Sequence, residues 1–135
     1  MSDYMSDEGF INQFETCTVP VASFHHREHV RVVWIYLQRY SVLETLARFS
    51  EHLKRFAAAN GKANLYHETI TWSYVFLINE RMERNGKGLS WDNFAESNAD
   101  LFDWKPSILK FYYSEQTLSS ELARKTFVFP EKFSP

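Results

Sequence analysis

Three consecutive stretches of this chain carry apolar residues at the spacing of an α-helix. They cover roughly residues 26–40, 42–60 and 65–84, with polar side chains on the opposite faces. The chain has only four Gly and four Pro in 135 residues, too few for the many turns of a β sandwich or barrel. With shorter helical segments further along, these stretches predict an all-α fold, a single-domain bundle of about five to six helices.

The middle stretch has the clearest boundaries. Ser41 is followed three residues later by Glu44, which is the pattern of a capping box, and Gly61 is a natural helix stop. The apolar stripe that we expect to be buried begins at Leu43 and ends at Ala57. Such a stripe needs partner helices, so it favours a bundle over an isolated helix.

The two ends of the chain differ in character. Residues 1–22 are polar and acidic and are predicted to be a partly disordered N-terminal tail, although three apolar side chains at positions 10, 11 and 14 could dock on the body. Residues 23–135 are predicted to be the helical bundle domain. Its apolar run Phe127–Pro130 is expected to pack back on the helices.

Charge and composition exclude several functions. The formal net charge is −2 and the basic residues are scattered among acids, so we expect no nucleic-acid partner. No apolar run reaches the ~18 residues that span a bilayer, and no signal peptide is visible. Cys17 is the lone cysteine, which excludes a disulfide within the chain. We therefore expect a cytoplasmic protein without a membrane partner.

Three histidines fall on apolar helix faces, where histidine is least expected. His26 and His29 lie in the first turn of the first predicted helix, and His67 opens the third. If neighbouring helices are antiparallel, these two helices start at the same end of the bundle. Three imidazoles could then share a pocket and bind a divalent transition metal such as zinc, copper or iron. Burial and the helix N-termini favour their neutral form, and His25 is a spare candidate.

The neighbours of His67 complete the predicted site. Tyr66, Glu68 and Thr71 are candidate catalytic residues, with Thr71 on the same helix face as His67 and Glu68 able to orient a ring N–H. A structural role is the alternative for Thr71, because a threonine hydroxyl inside a helix often bonds back to a carbonyl one turn earlier.

The two histidine segments resemble those of a family of small, mostly bacterial, all-helical proteins of unassigned function. The resemblance covers roughly residues 24–80 and implies a helical single domain with both segments as its signature. It supplies no activity. The segments are Phe24-x-His26-x-Glu28-His29-Val30 and Tyr66-His67-Glu68-Thr69-Ile70-Thr71.

Three functions remain open from the sequence. The first is a metal-dependent enzyme acting on a small molecule through the histidine site. The second is a metal-free module in which aromatic helices wall a cavity for a small apolar ligand and the histidines hydrogen-bond its polar end. Tyr112 and Tyr113 could cover the histidine pocket. The third is a protein-interaction domain that docks a partner through the acidic tail or through Phe127–Phe129.

Overall fold

The chain divides into two compact units, Met1–Tyr66 and His67–Pro135, called here the first and the second unit. The computed structural model describes residues 6–132, apart from the side chain of Asn85. Every regular element within that range is helical, which confirms the all-α prediction. The predicted count was slightly low, since residues 6–132 form seven α-helices: α1 Asp7–Glu15, α2 His26–Arg39, α3 Val42–Ala59, α4 Glu68–Arg81, α5 Trp91–Ser97, α6 Glu115–Leu118 and α7 Glu121–Lys125.

The first unit contains α1, α2 and α3, with a 3₁₀ turn at Val21–Ser23 between α1 and α2 and another at Ala63–Leu65 after α3. Helix α3 begins as the capping pattern predicts, because the Ser41 hydroxyl accepts a hydrogen bond from the Glu44 amide at 3.2 Å. It ends just before Gly61, whose φ of 70° is a conformation that glycine adopts without a steric cost. One detail of the predicted stripe is wrong: Leu43, in the first turn, is 70% exposed.

The acidic segment predicted to be a partly disordered tail contains helix α1. Its three apolar side chains, Phe10, Ile11 and Phe14, are buried, so the docking that the sequence allowed takes place. Two arginines of α2 pair with first-turn carboxylates of α1, Arg31 with Asp7 and Arg39 with Glu8. Residues 1–5 of the predicted tail lie outside the described residues.

The second unit contains α4 to α7 and 3₁₀ turns at Ala99–Phe102 and Ile108–Phe111. Helix α4 starts three residues later than the periodicity suggested and runs into a π-helical turn, Met82–Gly86. A Cβ at Gly86 would lie 3.1 Å from the Arg81 carbonyl oxygen and 3.2 Å from the Phe94 ring. Glycine therefore permits the close packing of this turn on α5.

The apolar run near the C-terminus packs on α4, as the sequence predicted. The Phe127 ring stacks on Trp72 with centroids 5.5 Å apart. The buried hydroxyl of Thr69 donates to the Thr126 carbonyl at 2.8 Å and accepts from the Val128 amide at 3.0 Å. The Thr126 carbonyl and the Val128 amide belong to no helix or strand, so the two bonds to Thr69 satisfy them. The same bonds hold Phe127–Pro130 against α4.

Candidate functional site

His29 lies in an aromatic environment in the first unit. Its ring centroid is 4.5 Å from that of Phe24 and 6.3 Å from that of Phe49. Burial, followed by the electrostatic effect of the neighbouring His26 and His25, lowers the pKa of His29 to about 3. The imidazole is therefore neutral at ordinary pH.

His67 caps α4 in the second unit. Its Nδ1 accepts a hydrogen bond from the Ile70 amide at 3.1 Å, so the ring hydrogen lies on Nε2 and is donated to the Leu118 carbonyl at 2.7 Å. Both ring nitrogens are thus engaged within the unit. His67 sets the start of α4 and ties it to the end of α6, with no lone pair left for a metal in this geometry.

The three predicted catalytic residues lie in or just before the first turn of α4. The Thr71 hydroxyl donates to the His67 carbonyl at 2.7 Å, which is the structural alternative foreseen for it. Tyr66 follows the 3₁₀ turn Ala63–Leu65, and the Lys54 ammonium lies 5.1 Å from its ring centroid. Glu68 is the first, half-buried residue of α4. None of these contacts assigns a chemical step.

Among residues 6–132, no group of three or more His, Cys, Asp or Glu side chains is placed to hold a metal ion. A metal centre built from His26, His29 and His67 stays a prediction of the sequence. The contacts of His67 favour a structural explanation for its position, because a half-buried imidazole with both nitrogens hydrogen-bonded needs no ion to satisfy them.

The second unit has an open pocket of about 320 Å³, called here the aromatic pocket. One side is a single stripe of α4, because Ser73, Phe76, Leu77 and Glu80 recur at the i, i+3, i+4, i+7 spacing of one helix face. The other side comes from the 3₁₀ turn Ile108–Phe111, the residues after it and the C-terminal run: Leu109, Tyr112, Tyr113, Phe127 and Pro130.

Buried hydroxyls form the inner part of the aromatic pocket. The Tyr113 hydroxyl donates to the Val128 carbonyl at 2.6 Å and lies 3.5 Å from the Ser73 hydroxyl. Burial raises the pKa of Tyr113, and the nearby Glu131 carboxylate raises it further, although the Ser73 contact acts the other way. Tyr113 is therefore a neutral phenol that links the pocket interior to the C-terminal run.

The outer part of the aromatic pocket is apolar and exposed. Phe76 is 40% exposed despite its size, and its ring meets Phe127 edge to face at 6.4 Å between centroids. Large apolar side chains with this exposure around a concave surface are typical of binding sites. Tyr112 and Tyr113, which the sequence suggested as a cover for the histidine pocket, both line the aromatic pocket.

A second hollow of about 490 Å³ lies around Trp104 and Phe111. Its lining carries charges of both signs, including Asp100 and Lys105. Arg81 donates two hydrogen bonds of 2.8 Å to Asp100, which hold the pKa of that carboxyl below its usual range. This hollow lacks the continuous apolar walls of the aromatic pocket, which is therefore the better candidate for a ligand site.

Sequence reasoning missed a polar cluster in the first unit. The fully buried Tyr36 donates its hydroxyl to the Glu15 carboxylate at 2.5 Å, and His52 Nε2 lies 3.8 Å from the same carboxylate. Burial, followed by the Glu15 carboxylate, raises the pKa of Tyr36. The cluster holds the end of α1 against α2 and α3. No motif marks it, because its three residues lie far apart in the chain.

No family model, curated protein or solved structure matches this chain. The family suggested by the two histidine segments therefore stays a prediction. None of the helices in residues 6–132 combines the length and the apolar character that crossing a membrane requires.

Proposed function

We propose that this protein binds a small, largely apolar molecule in the aromatic pocket of its second unit. The open volume of about 320 Å³ between α4 and the C-terminal run carries the proposal. That volume falls at the lower end of the usual range for ligand sites, and it is about twice an engineered apolar cavity of roughly 150 Å³ that holds one benzene.

The contacts that hold the walls of the aromatic pocket in place also support a role in ligand binding. The two Thr69 hydrogen bonds and the stacking of Phe127 on Trp72 fix one wall, while α4 supplies the other. A pocket whose walls are already in place binds without the loss of free energy that ordering them would require. The inner hydroxyls of Ser73 and Tyr113 are neutral, and that of Tyr113 donates to the Val128 carbonyl, so the interior accommodates an uncharged, apolar group.

Titration with a neutral, environment-sensitive dye such as Nile red tests the proposal. We expect saturable fluorescence and shifts of the amide resonances of residues 73–80. Leu77→Trp should weaken binding about tenfold, because the indole fills space that the ligand needs. Leu122→Trp is the matched control: it enlarges a leucine of the same unit that is exposed and lies outside the pocket. Equal binding by both variants, or no saturation, contradicts the proposal.

A second candidate is a protein-interaction role, supported by the 81% exposure of Phe129 next to the pocket wall. A large exposed aromatic side chain is a common anchor of an interface. Sedimentation of the wild type and of Phe129→Ser at increasing concentration distinguishes the two functions. Association that depends on Phe129, together with no dye binding, favours the interaction role.

A further inference from the structure

The lining of the aromatic pocket carries formal charge of one sign. Among the lining residues that the structure describes, Glu80 alone carries a formal charge, and it lies at the exposed rim. No lysine, arginine or histidine lines the pocket there. Within the lining, an anionic ligand would therefore meet only a charge of its own sign, whereas a cationic ligand would meet a complementary charge.

Two arginines lie near Glu80. The charge of Arg81 acts on Glu80, but its guanidinium is paired with Asp100 through two hydrogen bonds of 2.8 Å. Arg84 does not remove the charge of Glu80 either. Its guanidinium contacts Glu80 Oε2 at 2.9 Å from one turn further along the chain, and both side chains are more than half exposed. An exposed pair of this kind is weak and is screened by salt. A carboxylate also has about four acceptor positions, so Glu80 can bind a second cation while Arg84 stays in place.

The rings beside Glu80 add a second attraction for a cation. Phe76 lies one helical turn before Glu80, a spacing that places the two side chains side by side. Tyr112 and Phe127 supply aromatic rings on the facing wall. The face of an aromatic ring is electron-rich, and rings grouped around a carboxylate are a recurrent means of binding ammonium groups.

The hydroxyls at the inner end of the pocket do not compete with Glu80 for the cation. Tyr113 donates its hydrogen to the Val128 carbonyl, so it is committed to the protein. The interior therefore suits an apolar body, while the rim suits a positive charge. Along α4, the pocket thus changes from a buried, uncharged end at Ser73 to an exposed, acidic end at Glu80.

We propose that the ligand of the aromatic pocket is an amphiphilic ammonium compound, with its apolar body between α4 and the C-terminal run and its ammonium group against Glu80 and Phe76. This inference rests on the proposed function and narrows it to a ligand class. It involves binding alone, with no covalent step.

Three probes of nearly the same shape separate charge from size. Benzyltrimethylammonium is the cation, neopentylbenzene its neutral isostere and phenylmethanesulfonate an anion of similar size. Calorimetry and amide resonances at low salt measure each affinity for the full chain. We expect the cation to bind at least about fivefold more tightly than the anion, from the combined effect of the carboxylate and the rings.

Two single substitutions provide the internal control. Glu80→Gln removes the rim charge and should weaken binding of the cation about threefold while leaving neopentylbenzene within about twofold. Glu83→Gln is matched to it, since Glu83 is an exposed carboxylate of the adjoining turn with its own one-turn partner, Lys87, and lies outside the pocket lining. It should change neither affinity.

The outcomes distinguish the two proposals. Binding of all three probes with equal affinity, or a cation affinity that Glu80→Gln leaves unchanged, overturns the ammonium inference while the pocket remains a binding site. Tighter binding of the anion also overturns it. Failure of all three probes, the neutral one included, contradicts the proposed function itself. Loss of cation affinity in Glu80→Gln alone supports both.

Discussion

The aromatic cluster around Phe14 in the first unit is buried more deeply than the one around Phe76 in the second. In the first unit, Phe14 is fully buried, and its ring centroid lies 5.2 Å from that of Phe24 and 6.1 Å from that of Phe56. In the second unit, Phe76 and Phe127 also pack on each other, but Phe76 keeps 40% of its surface exposed beside an open pocket. The first arrangement is closed and the second is open.

This difference in exposure gives the two clusters different roles: the closed cluster contributes mainly to stability and the open one mainly to binding. A ring enclosed on all sides contributes its full transfer free energy and its packing contacts to folding. A ring at the edge of a pocket contributes less to folding, and it retains surface that a ligand can cover. We therefore expect substitutions in the closed cluster to affect unfolding, and substitutions around the pocket to affect binding.

The largest expected effect follows from comparing two phenylalanines. Phe14→Ala should lower the free energy of unfolding of the first unit by about 3–5 kcal/mol, because it leaves a cavity among rings that cannot close over it. Phe76→Ala should lower that of the second unit by about 1 kcal/mol or less, since its side chain is already part exposed. Native-state amide exchange reads each unit separately. Similar losses in both variants would refute the comparison.

Two threonines of α4 give the next largest contrast. Thr69→Val should destabilise the second unit by about 1–3 kcal/mol, because the Thr126 carbonyl and the Val128 amide both lose their partner. Thr71→Val should have a smaller effect, since the His67 carbonyl still accepts from the Thr71 amide at 3.0 Å. Denaturant unfolding of both variants measures the two losses in unfolding free energy. A larger loss in Thr71→Val would show that contacts other than the Thr69 hydrogen bonds hold the C-terminal run.

Local patterns predicted the elements of the fold well. The Ser41 cap and the Gly61 stop set the limits of α3, and the run after Thr126 packs on α4 as expected. The cap and the stop act within one turn of the chain, so they can be read without knowing the tertiary structure. The burial of α1 was only an option in the sequence, because three apolar residues in an acidic segment do not specify their partners.

The candidate site was harder to predict. The sequence directed attention to the histidines, because an imidazole on an apolar face suggests a function, yet the bonds of His67 are those of a helix cap. The aromatic pocket uses another face of α4, marked only by the recurrence of Ser73, Phe76, Leu77 and Glu80. That spacing is visible in the sequence. The opposite wall of the pocket begins at Leu109, 29 residues after Glu80, and its position depends on tertiary packing that no local pattern predicts.

Two buried tyrosines sharpen the comparison of the units. Tyr36→Phe should lower the free energy of unfolding of the first unit by about 1.5–3 kcal/mol, because a hydrogen bond to the charged Glu15 is lost. Tyr113→Phe should lower that of the second unit by about 1 kcal/mol, since the Val128 carbonyl is neutral. Equal effects, measured by amide exchange, would indicate that Glu15 is well solvated in the absence of the Tyr36 hydroxyl.

The smallest expected effect is a pH dependence of the first unit. Burial lowers the pKa of His29 to about 3 in the folded protein, against an ordinary value of 6.5. Below pH 6.5 the unfolded chain binds a proton that the folded chain does not, so stability is complete above this pH and declines as the pH falls toward 3. Between pH 7 and 5.5 the loss attributable to His29 is about 1 kcal/mol.

His29→Phe isolates this contribution, because a phenyl ring can pack against Phe24 and Phe49 but cannot titrate. Other groups titrate in both proteins, so the useful quantity is the difference in unfolding free energy between the wild type and the variant at each pH. That difference should move in favour of the variant by about 1 kcal/mol as the pH falls from 7 to 5.5. A constant difference would mean that the His29 ring is solvated well enough to accept a proton in the folded state, and that the aromatic cluster of the first unit is less closed than its packing indicates.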